Sequence, residues 1–438
     1  MKRLIALSLI LYQSAFSPAE AQEWTARQCM QYAVEHNTQV RRAALELDNY
    51  EATKLGAIGS FLPTVDAGIG AQYNFGRAID PETNGYTDVS TFYNGYSVSA
   101  SLPVFDGFSR LNALKAAKAS VLMGRNALRE QQDQTALNVL QAFTNLAYYE
   151  EMVKMAEEKV EETTLLLKQT QVLEEVGRKS AADVAQVESQ KAEADYELTR
   201  QQNLLASALL ELKKEMAFPM TDTLSLTVSH GDWNNVMSQT LQAFLSPCET
   251  HASLQTVRYQ MQASKHEWRQ ARASLFPSLS LSAGLNTTYY KTRHSQTATS
   301  FGDQFKNNMG EYLGATLSIP LFNRLQTITS IRKAKNNYRM AREAYEDKQQ
   351  ELQKLSREAW QDWQGYLKQA QQMEKKVEAD SLAYQLTRRQ FEEGLSTAID
   401  LRTTSAQLLN SKATLLQCQL MAMVKEQLVR YYNGEQIW

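Results

Sequence analysis

The chain is written twice. Ser101-Leu102-Pro103-Val104-Phe105-Asp106 recurs as Ser318-Ile319-Pro320-Leu321-Phe322-Asn323, an offset of 217 residues that also carries Gly177 onto Gly394, Asp183 onto Asp400 and Gln190 onto Gln407. A register kept over that distance without insertion means regular structure in between, and a duplication confines the fold to two copies of one supersecondary unit. Upstream, Phe61-Leu62-Pro63 matches Leu275-Phe276-Pro277 at an offset of 214. The three-residue difference falls between the two prolines of each half, where the chain behaves like a loop. The repeats divide the chain into 22–220 and 221–438.

Between the prolines, residues alternate with period two. Val65, Ala67, Ile69, Ala71, Tyr73 and Phe75 fall on one face, and Thr64, Asp66, Gly68, Gly70, Gln72 and Asn74 on the other, the pattern of a strand with one apolar face. The segments around Tyr96 to Val104, Leu279 to Leu285 and Leu313 to Leu321 repeat it, with Gly, Ser and Thr opposite. Each half therefore contributes a hairpin, with strands at about 62–75 and 92–105 and at about 277–290 and 311–322. Each is near the roughly 9 to 11 residues that a tilted strand needs to cross a bilayer. Tyr73, Phe75, Phe92, Tyr93, Tyr289, Tyr290 and Tyr312 gather at the loop ends, where an interfacial girdle would place them. A soluble amphipathic sheet alternates too. Four strands cannot close a barrel alone, so strands in lipid require oligomerisation.

Everything else reads as helix. From Asp106, a good N-cap, a tract without proline runs to Val176, and its counterpart runs from Asn323 to Glu393, 71 residues each. At about 1.5 Å per residue that is roughly 105 Å, too long for one globular domain. The spacing of Leu114, Val121 and Leu128, then of Val139, Phe143, Leu146 and Val153, predicts coiled-coil-like packing. Return helices are expected over 180–216 and 397–432, and half-length helices over Glu23 to Ser60 and Thr240 to Phe276, each leading into a strand. Two half-length helices stacked end to end match one long helix, which predicts an irregular belt around 217–239 that includes Leu224, Leu226 and Val228. Helices with water on both sides need apolar residues only along their edges. That accounts for a mean hydropathy of −0.45 with only 18 Gly and 8 Pro.

Lys2 and Arg3, the apolar run Leu4 to Leu11 and Ala19-Glu20-Ala21 form an export signal over 1–21, with the mature chain starting near Gln22. No later stretch reaches the roughly 18 apolar residues of a spanning helix. The formal net charge of −2 implies no nucleic acid. Cys29, Cys248 and Cys418 are odd in number and widely separated, which is no disulfide framework, though one bridge is open. His36, His230, His251, His266 and His294 show no metal-binding spacing, and no phosphate loop or nucleophile elbow occurs. No cofactor, metal or enzyme activity is expected. The loops from Gly76 to Thr91 and from Lys291 to Gly310 are polar.

Taken together, the duplicated hairpins, the S-[LI]-P-[VL]-F-[DN] exits and the tips Val176 to Val184 and Glu393 to Leu401 resemble the TolC family of outer-membrane efflux and secretion channels, over the whole mature chain. The resemblance implies an α+β membrane protein: a homotrimer whose twelve-stranded barrel, four strands per subunit, continues into a long periplasmic α-helical barrel. It implies a passive exit duct embedded in outer-membrane lipid, with most of its mass in the periplasm of a Gram-negative-type envelope. It also implies a periplasmic adaptor (membrane fusion) protein and an inner-membrane pump of RND or ABC type as partners. The alternative is that the chain is itself a periplasmic coiled-coil adaptor or scaffold, which should carry compact β-domains.

Pro63, Pro103, Pro277 and Pro320 mark the barrel-to-helix transitions. At the tips, Gly177 and Gly394 can supply the positive φ that ends a helix, and Ser180 and Thr397 can cap the returning one, with Asp183 and Asp400 in its first turn. The resemblance makes these tips the inner constriction, where carboxylates repeated by symmetry would favour cations. Equally, the aspartates can serve only their helix N-termini. Arg178 and Lys179 make one tip basic, Arg402 follows Asp400 where some relatives are acidic, and Phe391 stands where a gating tyrosine is found.

Overall fold

The computed structural model describes residues 24–79, 84–87, 90–225, 249–292 and 299–438. The export signal, Gln22, Leu226, Val228, His230, Cys248, His294 and the first nine residues of the helix expected from Thr240 lie outside them. In chain order the first half forms α1 (Ala26–His36), α2 (Thr38–Gly59), β1 (Thr64–Asn74), the two-residue strands β2 (Ala78–Ile79) and β3 (Tyr86–Thr87), β4 (Thr91–Phe105), α3 (Ser109–Glu175) and α4 (Ala181–Met216). The second forms α5 (Ala252–Ala273), β5 (Ser278–Thr292), α6 (Phe301–Asn307), β6 (Gly310–Ser318), α7 (Gln326–Glu392) and α8 (Ala398–Tyr432). The offsets hold to the residue: α2 and α5 are 22 residues each, 214 apart, and α3 and α7 are 67 residues each, 217 apart. No described helix is long and apolar enough to cross a membrane. Contacts divide the chain into one compact unit of Met1–Leu45, Asn126–Leu254 and Lys348–Trp438 and another of Glu46–Arg125 and Gln255–Asp347, so each unit draws on both repeats.

The second unit holds one antiparallel sheet in the order β1-β4-β5-β6, the hairpins meeting through β4 and β5. Its register settles which side chains share a face. Ala67 pairs with Val98 and Val98 with Leu285; Val65 pairs with Ala100, Ala100 with Ala283 and Ala283 with Leu313. Directly opposed residues point the same way, so the apolar positions of the four strands form one continuous face. Gly, Ser and Thr form most of the other, as in Ser99–Gly284 and Ser282–Gly314. The aromatic girdle expected at the loop ends divides between the faces. Tyr73, Phe92 and Tyr289 touch ring to ring on the apolar side at 5.0 and 6.4 Å. Tyr93 and Tyr290 pair on the small-residue side, where the Tyr312 ring lies over Gly284 so closely that a Cβ there would sit 2.5 Å from it. Strand periodicity, blind to loop proximity, decides this.

A helix, α6, stands in the loop read as merely polar. It replaces a missing stretch of strand: β6 stops pairing at Gly310 opposite Asn286, six residues before β5 ends. Beyond it, the Gln304 side chain accepts from the Tyr290 N–H at 3.0 Å and donates to the Tyr290 carbonyl at 3.0 Å, and Asn308 donates to the Thr288 carbonyl at 2.8 Å.

Pro103 lies within β4, past the last β1 pair (Thr64–Ser101), at a bulge between Pro103 and Phe105, where its missing donor costs no β1 bond. Pro63 and Pro277 immediately precede β1 and β5, and Pro320 follows β6. The long helices start three residues later than expected from Asp106 and Asn323. Gly107 and Phe108 have φ of +65° and +67°, and their counterparts Arg324 and Leu325 +57° and +66°. Two left-handed residues cannot continue a right-handed helix. Asp106 still caps, accepting from the Arg110 N–H at 3.0 Å, and Asn323 does likewise for Thr327.

In the other unit, Cys29, Ala33, Val139, Leu146, Leu212 and Met216 form a core around which Trp24, Phe218, Leu224 and Trp438 pack. Of the seven spaced apolar positions, Val121, Val139, Phe143 and Leu146 are buried, while Leu114, Leu128 and Val153 are half-buried. Cys29 and Cys418 are buried and unbridged. The helix expected over Glu23 to Ser60 breaks at Asn37, whose backbone is extended (ψ 136°). Its side chain accepts from Gln39 N–H at 2.8 Å and donates to the Glu215 carbonyl at 2.9 Å, the local competition that makes Asn a helix interrupter. At the same offset of 214 residues, His251 precedes α5, after a turn at Glu249–Thr250.

Two predictions follow from these packings. Gly107→Ala puts a Cβ 2.5 Å from the Ala273 carbonyl oxygen at a positive φ, so it should destabilise by about 2 kcal/mol or more, while Arg324→Gly relieves a left-handed residue and should stabilise by up to about 1 kcal/mol, both read from denaturant midpoints. His251 lies between Tyr431 and Tyr432 and near Lys348, and burial first, then Lys348, lowers its pKa to about 4. The unfolded imidazole binds its proton from about pH 6.5 downward while the folded one resists it to about pH 4. Stability should therefore be complete above pH 6.5 and decline by about 3 kcal/mol at most towards pH 4, a slope that His251→Gln should flatten in pH-dependent unfolding.

Candidate functional site

Each long helix ends on the same chain reversal. Gly177 and Gly394 have φ of +74° and +79°. Arg178 N–H donates back to the Leu173 carbonyl at 2.8 Å and Leu395 N–H to that of Gln390 at 2.7 Å, the longer of the two bonds that close such a C-cap. Three residues on, the return helix opens with a capping box: Ser180 Oγ accepts from Asp183 N–H at 3.2 Å, and Asp183 Oδ2 accepts from Ser180 N–H at 3.0 Å. Thr397 and Asp400 repeat it at 3.2 and 3.1 Å. Both carboxyl pKa values are lowered, that of Asp183 chiefly by the Ser180 backbone N–H and that of Asp400 chiefly by the Thr397 hydroxyl. The aspartates cap their helix N-termini, one of the two roles the sequence left open.

The structure brings the two tips together around Phe391, which is 1% exposed among Leu166, Val187, Ala398 and Leu401. The Lys179 ammonium sits 3.8 Å from its ring centroid, so the basic residue of one tip is held by the aromatic residue of the other. Gln190 extends the link, donating to the Ala398 carbonyl at 3.0 Å, and Arg402 reaches Glu193 at 3.7 Å. Arg178 is exposed.

Sequence reading missed the layer above. Lys159 bonds Glu162 at 2.8 Å and the Ser405 hydroxyl, and lies 5.7 Å from the Tyr384 ring. It borders two grooves, one of about 290 Å³ with Met152, Gln190, Glu193 and Arg402, the other of about 400 Å³ with Glu162, Tyr384 and Arg388. A signal existed. The offset of 217 carries Lys159 onto Lys376 and Gln190 onto Gln407, two exposed residues that both donate to the buried Asp380, which is 8% exposed. Among the described residues no group of His, Cys, Asp and Glu could hold a metal ion.

The family described as outer membrane efflux protein matches residues 29–217 and 248–430. The chain is similar to outer membrane protein TolC of Escherichia coli (strain K12), 26% identical over 361 residues that cover 79% of this chain and 69% of that protein. Its fold is similar to that of CusC, with a TM-score of 0.82 at 17% identity over 94% of this chain and 92% of that one. VceC from Vibrio cholerae superposes with a TM-score of 0.78 at 15% identity over 94% and 97%.

Removing a cap should loosen the tip alone. Ser180→Ala should cost about 1 kcal/mol locally, a roughly fivefold rise in amide exchange over 181–186 with the sheet unchanged. Because the folded Asp183 and Asp400 pKa values lie below 3.8, their contribution is complete above that value and is lost as pH falls through the lowered one; tip protection that is flat from pH 7 to pH 2 would refute the capping role.

Proposed function

The chain belongs to the outer membrane efflux protein family, and from that premise we propose that it is one subunit of a trimeric duct that carries solutes passively across the outer membrane. The continuous apolar face of the four-stranded sheet, backed by Gly, Ser and Thr, carries this reading. Such a face suits lipid on one side and water on the other. The sheet order leaves β1 and β6 as outer edges. Backbone groups at an open edge cannot remain unpaired in hydrocarbon, so β6 of one copy pairs with β1 of the next until three copies, twelve strands, close the ring. The rest of the chain lies in the periplasm.

The tips around Phe391 form the inner constriction, and a periplasmic adaptor with an inner-membrane pump of RND or ABC type opens it. Phe391, Lys179, Gln190 and Arg402 hold the two hairpins of a subunit together; Gly177, Gly394, Asp183 and Asp400 shape them, and Arg178 stands outward. Cation selectivity at this ring is weak, because the carboxylates are engaged by their own helices and basic side chains stand beside them. The rival reading as an adaptor needs compact β-domains, and the described strands form only the four-stranded sheet and the β2–β3 ribbon.

Purified outer membranes should contain heat-dissociable trimers that conduct in planar bilayers, and a soluble periplasmic monomer would sink the duct. Lys179→Gln with Phe391→Ala should raise single-channel conductance several-fold; an unchanged conductance would exclude these residues from the constriction.

A further inference from the structure

Charge is unevenly spread in the unit that carries the sheet. Between Arg324 and Arg342 the chain has six Lys or Arg and no Asp or Glu, in a protein whose formal net charge is −2. On α7, Arg332, Lys335, Arg339 and Arg342 fall on one helical stripe, and all are exposed. On α5, Arg258, Lys265, Arg269 and Arg272 form a second stripe, exposed except for the half-buried Lys265, and Lys115 and Lys118 begin a stripe on α3.

The three helices bring these charges together. His266 of α5 has its pKa lowered by burial and then by Arg269, Lys115 and Lys265, which places Lys115 of α3 in the same neighbourhood. On the other side of α5, Trp268 stacks on Tyr338 of α7 at 5.9 Å, with Arg272 and Lys335 5.7 and 6.0 Å from its ring. The buried ring nitrogens His266 Nδ1 and Trp268 Nε1 have no hydrogen-bond partner. Farther from the sheet the cations are compensated, Arg125 by Glu51 and Arg342 by Glu343 and Glu346. Among the described residues no carboxylate forms an ion pair with Lys115, Lys265, Arg269, Arg272 or Lys335. Like charges left uncompensated repel one another and raise a positive potential, which an anion relieves.

We infer that the helices next to the sheet form a basic collar that binds phosphate-type oxyanions through Lys115, Arg269, Arg272 and Lys335. Two sources share this chemistry, the headgroups of anionic phospholipid in the adjoining leaflet and phosphorylated or otherwise multiply anionic solutes. The stripe on α5 runs 14 residues from Arg258 to Arg272, about 21 Å at 1.5 Å per residue. That exceeds the roughly 5 to 8 Å headgroup layer, so headgroups reach only its sheet end, whereas solutes meet all of it. The inference rests on the duct reading for where the collar lies and not for whether it binds.

The test uses the full-length protein in neutral detergent at about 50 mM salt, titrated calorimetrically with inorganic pyrophosphate and, separately, with phosphatidylglycerol-doped micelles. The variant is Lys115→Gln, Arg269→Gln, Arg272→Gln and Lys335→Gln combined, all at exposed positions, with Lys335→Arg as the charge-keeping control. At least one titrant should bind the parent and the control tenfold more tightly than the variant, with affinity falling steeply as salt rises; the titrant that does so identifies the source. If neither binds, or both bind parent and variant alike, the collar is refuted. A protein that binds but never conducts as a trimer would sink the duct and leave the collar standing.

Discussion

A β-sheet with two open edges is unfinished, and the rest of this molecule is arranged around that fact. Each backbone N–H and C=O along β1 and β6 needs a partner, and the sheet's own faces decide where partners can come from. One face is apolar from β1 to β6, so water cannot serve both sides equally. Where a strand falls short, the chain supplies side-chain substitutes, as Gln304 does for the upper part of β5. Where the ladder must end, a proline, a bulge and two left-handed residues turn the chain into a helix within a few positions. The same demand for pairing is what the proposed ring of three copies would meet.

Much of this was legible from residues alone because period and repeat are robust signals. Alternation gave the four strands and their apolar face, and the offsets of 214 and 217 anticipated helices that match to the residue. What was not legible depends on side chains acting on the backbone. Asn37 reads as an ordinary helical residue until its amide is seen bonding Gln39 and the end of α4. Phe108, Arg324 and Leu325 are residue types that carry no signal of positive φ, so the left-handed entry to each long helix shows only in the backbone itself. The helix α6 is too short for a periodic signal, and its anchors on β5 are individual side chains, Gln304, Asn308 and Thr287.

The tips show the same division. Glycine, hydroxyl and carboxylate at fixed spacing announced the reversal and its capping boxes. The contact between Lys179 and Phe391 did not announce itself, because the two residues lie in different halves and only the packing of four helices brings them together. Lys159 and Gln190 were hidden in long polar helices, where a buried polar residue looks like a solvated one. Their counterparts at Lys376 and Gln407 show that the repeat can expose such positions: a polar pair that persists at the offset marks a place where helix surfaces meet.

Phe391 has consequences for how such a ring can evolve. Its repeat counterpart is Glu174, which is exposed, so two positions that began as equivalent now do opposite things. In a threefold assembly of duplicated chains, the six hairpins form two interleaved sets of three. A substitution therefore alters every second hairpin, never all six at once. Under the proposed threefold arrangement, duplication within the chain makes the rim alternating rather than uniform, so that the two sets of hairpins are free to diverge from one another.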